Sequence, residues 1–317
     1  MTSLKEKYRL MIFGMGLGIL YALITRILFS EKATMASVTY LFINPVVMGV
    51  IPLMFLENES LKSHRTVILL SLITIVFSFF IMLLFGMEDF MGLFILVPPF
   101  FILSTTGALL YRNLQVNKQK NKIKLLFIGL LPFVCTFVEE LIPSPESVFK
   151  ISSKITVKAT KETIWNNIVE VQPIRPSEYK AGFFNSIGIP RPIYATVDKK
   201  ATGGKRTGNF DGGLQFIETI TAYEQNREVS FSIKIAPGTI RKKAFDQQVL
   251  NSNYFQFVDA TYQLTELGTG QVNLTLSSSY KLTSNINFYG KFWANIILKD
   301  FQDRLLYVIQ KRCEAKP

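Results

Sequence analysis

The sequence predicts an α-helical transmembrane region of about five helices followed by an α+β domain, in which a curved antiparallel sheet closes around one long C-terminal helix. Three observations carry this. Up to about residue 140 the chain is built from long apolar runs. Beyond that point apolar and polar residues alternate with the period of half-buried strands. Finally, residues 286–313 repeat Trp293, Ile297, Phe301, Leu305 and Val308 at spacings of four, four, four and three, which is one apolar face of a helix. Lys291, Asn295, Lys299, Gln302, Asp303 and Lys311 are expected on its opposite side, with Asp300 and Arg304 pairing one turn apart. An amphipathic helix of this length must bury its stripe, and the strand-like runs just before it supply the surface.

The chain has 317 residues, room for two domains. Its net charge of +12 invites a nucleic-acid reading. Much of that charge instead flanks the apolar runs, where lysines set topology and meet anionic lipid, and no nucleic-acid motif is present. The expected partners are therefore a hydrophobic small molecule or lipid and the membrane, with no nucleic acid. The sequence identifies no protein partner. Cys135 sits in an apolar run and Cys313 near the C-terminus, with no metal-ligand spacing. His64, the one histidine, lies in a short loop, so histidine-based catalysis in the C-terminal domain is excluded. No catalytic motif and no cofactor motif is found.

The apolar runs come first in the chain. Residues 10–29 follow a basic start and lack a small-residue cleavage site, so they read as a retained helix, with Arg26 able to snorkel at the far end. Residues 38–56 contain Pro45 and Pro52. Residues 66–85 are uninterrupted, and 91–111 contain Pro98 and Pro99. The fifth run, 123–138, is about 16 residues against the ~20 of a full span; it is expected either to span, with Lys124 snorkelling, or to be re-entrant. The prolines fit kinked packing helices or broken helices lining a site. Gly14, Gly16 and Gly18 fit close helix contact. Lys5, Lys7 and Arg9, then Lys62 and Arg65, then Arg112, Lys118, Lys120, Lys122 and Lys124 mark cytoplasmic segments. Glu88 and Asp89, and then Glu139 and Glu140, mark segments on the other side. The loop with Glu31 and Lys32 is neutral. An odd number of spans places the C-terminal domain outside the cytoplasm in a cell membrane. The boundaries expected are 1–141 for the transmembrane domain, 142–147 for a stiff proline-containing linker and 148–317 for the soluble domain.

The soluble domain opens on a strand in which Phe149, Ile151, Ser153, Ile155 and Val157 alternate with polar residues. Helices follow in KETIWNNIVEV and PSEYKAGFFNSIG, the second ended by Gly188. Six strands come next, at 193–199, 205–210, 214–224, 228–235, 254–266 and 271–283, most of them joined by the turns ATGG, DGG, QNR and LGTG. Residues 237–253 form a longer excursion carrying Arg241, Lys242 and Lys243, either a solvated loop or a lip meeting anionic lipid headgroups.

FKISSKITVKATKETIWNNI resembles the opening of the START-like, or SRPBCC, superfamily of polyketide cyclase/dehydrase and lipid-transport type domains. Trp165 stands on the first helix as in that family, and Thr160 stands where members usually have proline. GGKRTGNFDGGLQFIETITAYEQNREVSFSI resembles its middle hairpin, and FYGKFWANIILKDFQDRLLYVIQKRCE its closing helix. The resemblance covers about residues 148–314. It implies a helix-grip fold with a hydrophobic cavity between sheet and helix.

With Asp211–Gly213 as a turn, Phe210 faces Leu214, Gly208 faces Phe216 and Arg206 faces Glu218 on one inner face. Arg206 and Glu218 form an ion pair at the cavity wall, either structural or an anchor for a ligand carboxylate or phosphate. Phe231 shares a face with Val229, Ile233 and Ile235. Tyr262 is expected to point inward with Val258 and Leu264, Tyr280 with Leu282, and Asp259 fits either face. The candidate ligand-binding residues are thus Arg206, Glu218, Phe216, Phe231, Tyr262, Tyr280, Trp293, Ile297 and Phe301. The expected function is membrane-anchored binding or transport of a hydrophobic, lipid-like molecule. The alternatives are a cyclase/dehydratase-type enzyme using the same cavity, or a structural or partner-binding module with a filled one.

Overall fold

The computed structural model describes residues 4–29, 36–116, 125–268 and 270–315. Glu31 and Lys32 of the first loop, Lys118, Lys120, Lys122 and Lys124 of the basic loop, and Thr269 of the LGTG turn lie outside them. The chain divides into two units. The first holds Met1–Pro145 with Lys243–Gln248 and Ser284–Ile286, and the second holds Glu146–Lys242, Val249–Thr283 and Asn287–Pro317.

The first unit is helical. It contains α1 (Leu4–Leu28), α2 (Asn44–Val50), α3 (Asn58–Leu61), α4 (His64–Leu84), α5 (Phe90–Val116) and α6 (Leu125–Leu141). Among the described residues three helices, not five, are long and apolar enough to cross a membrane: Lys5–Leu28, His64–Leu84 and Phe90–Val116. The second apolar run falls short because Pro45 and Pro52 divide it. A π-helical turn, Thr39–Ile43, leads into α2, and a 3-10 turn, Ile51–Leu53, follows. The fifth run makes α6, of 17 residues and with Pro132 inside it. By contrast, α5 continues through Pro98 and Pro99. A side chain at Gly14 would meet Pro52 O, and one at Gly18 would meet Thr74 Cγ2, so these two glycines permit close approach; Gly16 faces open space.

Two acidic positions behave differently from the loop expectation. Arg26 does not snorkel. It is 6% exposed and paired with Glu88 at 2.6 Å, and it also donates to Met87 O at 2.6 Å. Pairing removes the cost of burying either charge alone. Glu139 accepts from Val38 N at 2.7 Å and Thr39 N at 3.0 Å, filling the open donors at the start of the π-helical turn.

The second unit is an antiparallel sheet with helices on one face. In chain order it contains β1 (Glu146–Val157), α7 (Lys161–Val169), α8 (Phe183–Ile187), β2 (Pro192–Val197), β3 (Lys205–Phe210), β4 (Gln215–Glu224) and β5 (Glu228–Ile235). Then come β6 (Phe255–Gly268), β7 (Gln271–Thr283) and α10 (Asn287–Glu314); the excursion between β5 and β6 holds a further helix, α9 (Ala244–Leu250), most of which belongs to the first unit. The strand order is β1-β7-β6-β5-β4-β3-β2, with every pairing antiparallel. This is the helix-grip arrangement. Successive strands joined by tight turns lie side by side, and the last strand returns to pair with the first.

Local chemistry explains the helix ends. Thr160 Oγ1 accepts from Thr163 N at 3.2 Å, so the residue that departs from the family pattern caps α7. Gly188, at φ 138°, ends α8. Asp300 and Arg304 of α10 pair at 2.7 Å as their spacing predicts. Gly290 lets α10 approach the sheet, since a side chain there would meet Tyr254 Oη and Leu282.

Candidate functional site

The β3–β4 hairpin has the register read from its turn. Gly212 and Gly213 adopt φ 75° and 81° in the turn, Phe210 N donates to Leu214 O at 2.9 Å, and Gly208 faces Phe216. Arg206 faces Glu218, and their side chains form an ion pair, both buried. The arginine has further partners. Its Nε donates to Val169 O at 3.0 Å and its Nη2 to Ile168 O at 3.5 Å. These are the last carbonyls of α7, which the helix itself cannot satisfy and which carry the negative end of its dipole. The guanidinium also lies 5.1 Å from the centre of the Phe231 ring. Tyr262 completes the cluster: burial pushes its phenol up to about 12, with Arg206 pulling down and Glu218 pushing up. Arg206, Glu218, Phe231 and Tyr262 thus join α7 to the sheet. Around them Trp165, Leu305, Leu306 and Ile309 close a packed core.

The other half of the grip is lined differently. An arc of rings crosses the sheet from β1 to β3. Phe149 lies 5.7 Å from Tyr280, which stacks on Phe255 at 5.5 Å; Phe255 meets Phe257 at 4.9 Å. Phe257 meets Phe216 at 5.2 Å, Phe216 meets Phe210 at 5.0 Å, and Phe210 reaches Phe301 of α10 at 6.0 Å. Trp293, Ile297 and Phe301, successive turns of α10, are only half-buried, as are Phe210, Phe257, Ile233 and Ile235 on the sheet. A group of inward-facing apolar side chains therefore stays partly exposed at this end. The predicted residues fall into two groups: Phe216, Tyr280, Trp293, Ile297 and Phe301 here, and Arg206, Glu218, Phe231 and Tyr262 in the closed cluster.

Two corrections follow from the strands and the helix. Val258 does not point inward. A bulge between Phe257 and Asp259 inserts it as an extra residue, so Phe255 and Phe257 face in before it and Ala260, Tyr262 and Leu264 after it. Asp259, opposite Ser279, faces outward. On α10, Asn295 and Gln302 do not lie on the solvent side, and Lys299, though exposed, reaches back to the sheet. Asn295 Oδ1 accepts from Tyr280 Oη at 2.7 Å, Lys299 Nζ donates to Ser153 Oγ at 2.8 Å, and Gln302 Nε2 donates to Ser278 Oγ at 2.9 Å. Gln302 is 1% exposed, and its Oε1 has no hydrogen-bond partner among the described residues. The signal for this polar seam was present: 295, 299 and 302 continue at spacings of four, three and four into buried Leu306, Ile309 and Cys313.

The excursion between β5 and β6 is not simply a solvated loop, because α9 forms within it. Arg241 is half-buried and donates to Gly188 O at 2.9 Å, while Lys242 and Lys243 stay exposed.

No family model matches the chain, and no curated protein matches it. Solved structures do. The chain is similar to a START superfamily protein from Mycobacterium smegmatis, with 12% identity over 52% of this chain and 97% of that one and a TM-score of 0.35. It is similar to truncated norcoclaurine synthase from Thalictrum flavum, with 13% identity over 55% and 98% and a TM-score of 0.34. It is also similar to a conserved protein from Geobacillus kaustophilus, with 14% identity over 52% and 95% and a TM-score of 0.33. In each the likeness spans about half of this chain, and the helix-grip description rests on the strand order and closing helix given above.

Proposed function

We propose that this protein is a membrane-anchored binder of a hydrophobic, lipid-like molecule. The observation that carries the reading is the apolar patch at the N-terminal half of α10, where inward-facing rings and aliphatic side chains remain half-exposed. Leaving such area in water is unfavourable by about 25 cal/mol per Å², and an apolar ligand removes that cost. Trp293, Ile297 and Phe301 contact the ligand, with the buried rings of Phe216 and Tyr280 packed behind them. Arg206, Glu218, Phe231 and Tyr262 form the floor beneath it. The Asn295–Gln302 seam supplies polar groups to orient it. The three apolar helices hold the chain in the membrane.

Both tryptophans of the chain lie in the second unit, Trp165 in the closed core and Trp293 at the open end. A Trp165→Phe chain, purified in detergent and stripped of lipid, therefore reports on the open end alone. A polyene fatty acid should quench Trp293 saturably, and Ile297→Arg should abolish the effect. Trp293 emission that ignores the fatty acid, or quenching that Ile297→Arg leaves intact, would reject the proposal.

We also propose that the N-terminus is cytoplasmic and the second unit lies on the far side of the membrane. Three spans keep the same parity, although they carry the Lys62 and Arg112 segments across and leave Glu88 and Asp89 inside, against the positive-inside tendency. Ser147→Cys, in a chain without Cys135 and Cys313, should react with an impermeant maleimide on intact cells. Labelling only after lysis would reverse the assignment.

A further inference from the structure

A cleft lies apart from the half-exposed apolar patch. It is an open cleft of about 830 Å³ between the loop that follows α7 and the last turns of α10. That volume is in the range of small-molecule sites, about 300–1,000 Å³. Its walls mix apolar surface with charged side chains. Arg175, Lys180, Lys311 and Arg312 line it together with one acid, Glu178.

The acid is already spent. Arg312 Nε and Nη2 each donate to the Glu178 carboxylate at 2.9 Å, and Arg175 N donates to it at 2.7 Å. The hydrogen bonds from Arg312 hold the Glu178 carboxyl down at about 2, so it is ionised at any physiological pH. Arg312 also donates to Gln172 O at 2.9 Å and Pro173 O at 2.8 Å, which fixes the loop against the helix. The cleft is thus a built feature with a braced wall. What remains is Arg175, Lys180 and Lys311, none of which forms an ion pair among the described residues; only Arg175 feels Glu178, whose carboxylate Arg312 already fills. Lys311 Nζ is positioned over the Tyr307 ring, 5.5 Å from its centre. Asn167 and Ser177 add neutral polar groups on the same walls. Three like charges around one concavity repel each other, and a multiply charged anion relieves that repulsion while matching their donors.

We propose that this cleft binds a phosphate or diphosphate group through Arg175, Lys180 and Lys311. The group belongs either to a soluble phosphate ester or to an anionic lipid headgroup. The site is separate from the apolar patch and stands whether or not that patch binds lipid.

The test uses the full chain in phosphatidylcholine nanodiscs, with inorganic pyrophosphate titrated by calorimetry. Pyrophosphate should bind saturably. Lys180→Ala/Lys311→Ala should weaken it at least tenfold. Lys150→Ala/Lys154→Ala, which removes the same charge from the exposed face of β1, should leave it within twofold. Repeating the titration with phosphatidic acid in the disc separates the sources. Competition that raises the apparent Kd in the wild type but not in Lys180→Ala/Lys311→Ala assigns the headgroup, and no competition assigns a soluble ester. No saturable pyrophosphate binding, or equal weakening by both double variants, would overturn the proposal.

Discussion

The two ends of α10 carry the same kind of amphipathic pattern and meet different fates. Toward the C-terminus, Leu305, Leu306, Val308 and Ile309 are buried, because α7 closes over them and Arg206 fixes the end of α7 to the sheet. Toward the N-terminus, Trp293, Ile297 and Phe301 are half-buried behind an arc of large rings, and on the outer side Phe288 and Phe292 are 67% and 55% exposed. Spacing along the helix does not distinguish the two. The difference lies in what covers them: a helix packed down by a buried ion pair at one end, bulky aromatic side chains at the other. One helix thereby provides both the stability of the unit and its accessible apolar surface.

That contrast can be broken in graded steps. Glu218→Ala should have the largest effect, because it leaves Arg206 buried without a counter-ion. A loss of about 3–5 kcal/mol is expected, read from the urea midpoint of Trp165 emission in detergent. Replacing both partners, as Arg206→Met/Glu218→Leu, should restore most of it. A single-variant loss under about 1 kcal/mol would mean that the pair does not hold the closed end. Next comes a matched pair on α10. Leu306→Ala should cost about 2–5 kcal/mol as a cavity in the closed core, while Ile297→Ala at the half-exposed end should cost under about 1 kcal/mol and weaken fatty-acid quenching of Trp293. Equal costs would erase the distinction between the ends.

The smallest effect concerns the outer brace of the closed end. The Glu178 carboxyl is held well below its ordinary value of 4.5, down to about 2, by hydrogen bonds from Arg312. A depressed carboxyl contributes stability that is complete above its unfolded value and lost as pH falls through the folded one. The advantage of the wild type over Glu178→Gln should therefore be flat above about pH 4.5 and shrink toward pH 2. An advantage unchanged across that window would detach Glu178 from the brace.

Much of this architecture was legible in advance, for identifiable reasons. The hairpin register was readable because two glycines in a short turn leave one pairing, and Arg206 opposite Glu218 followed. The partners of Arg206 in α7 were not readable, since they are backbone carbonyls of Ile168 and Val169, brought close only by tertiary folding. Asn295 and Gln302 were misplaced because an amide counts as polar whichever way it faces. Gln302 is buried against Ser278, which shares the parity of the inward-facing Tyr280 and Leu282 on the same strand, so the two halves of that contact were visible separately. Hydropathy located the apolar runs correctly but not their helical lengths, which Pro45 and Pro52 cut short. In β6, FQFVDATYQL offers apolar residues at both parities before Asp259, so alternation alone could not decide between Phe257 and Val258.

The bulge at Val258 gives β6 a phase change in mid-strand, and this sets how the protein can vary. Substitutions along the strand act locally, one side chain at a time. Removing or adding one residue near Val258 is a different event. It would keep Tyr262 and Leu264 in the closed core only by turning Phe255 and Phe257 out of the aromatic arc, or the reverse. The length of this segment is therefore constrained as tightly as its composition, although the residue that sets that length is itself 38% exposed.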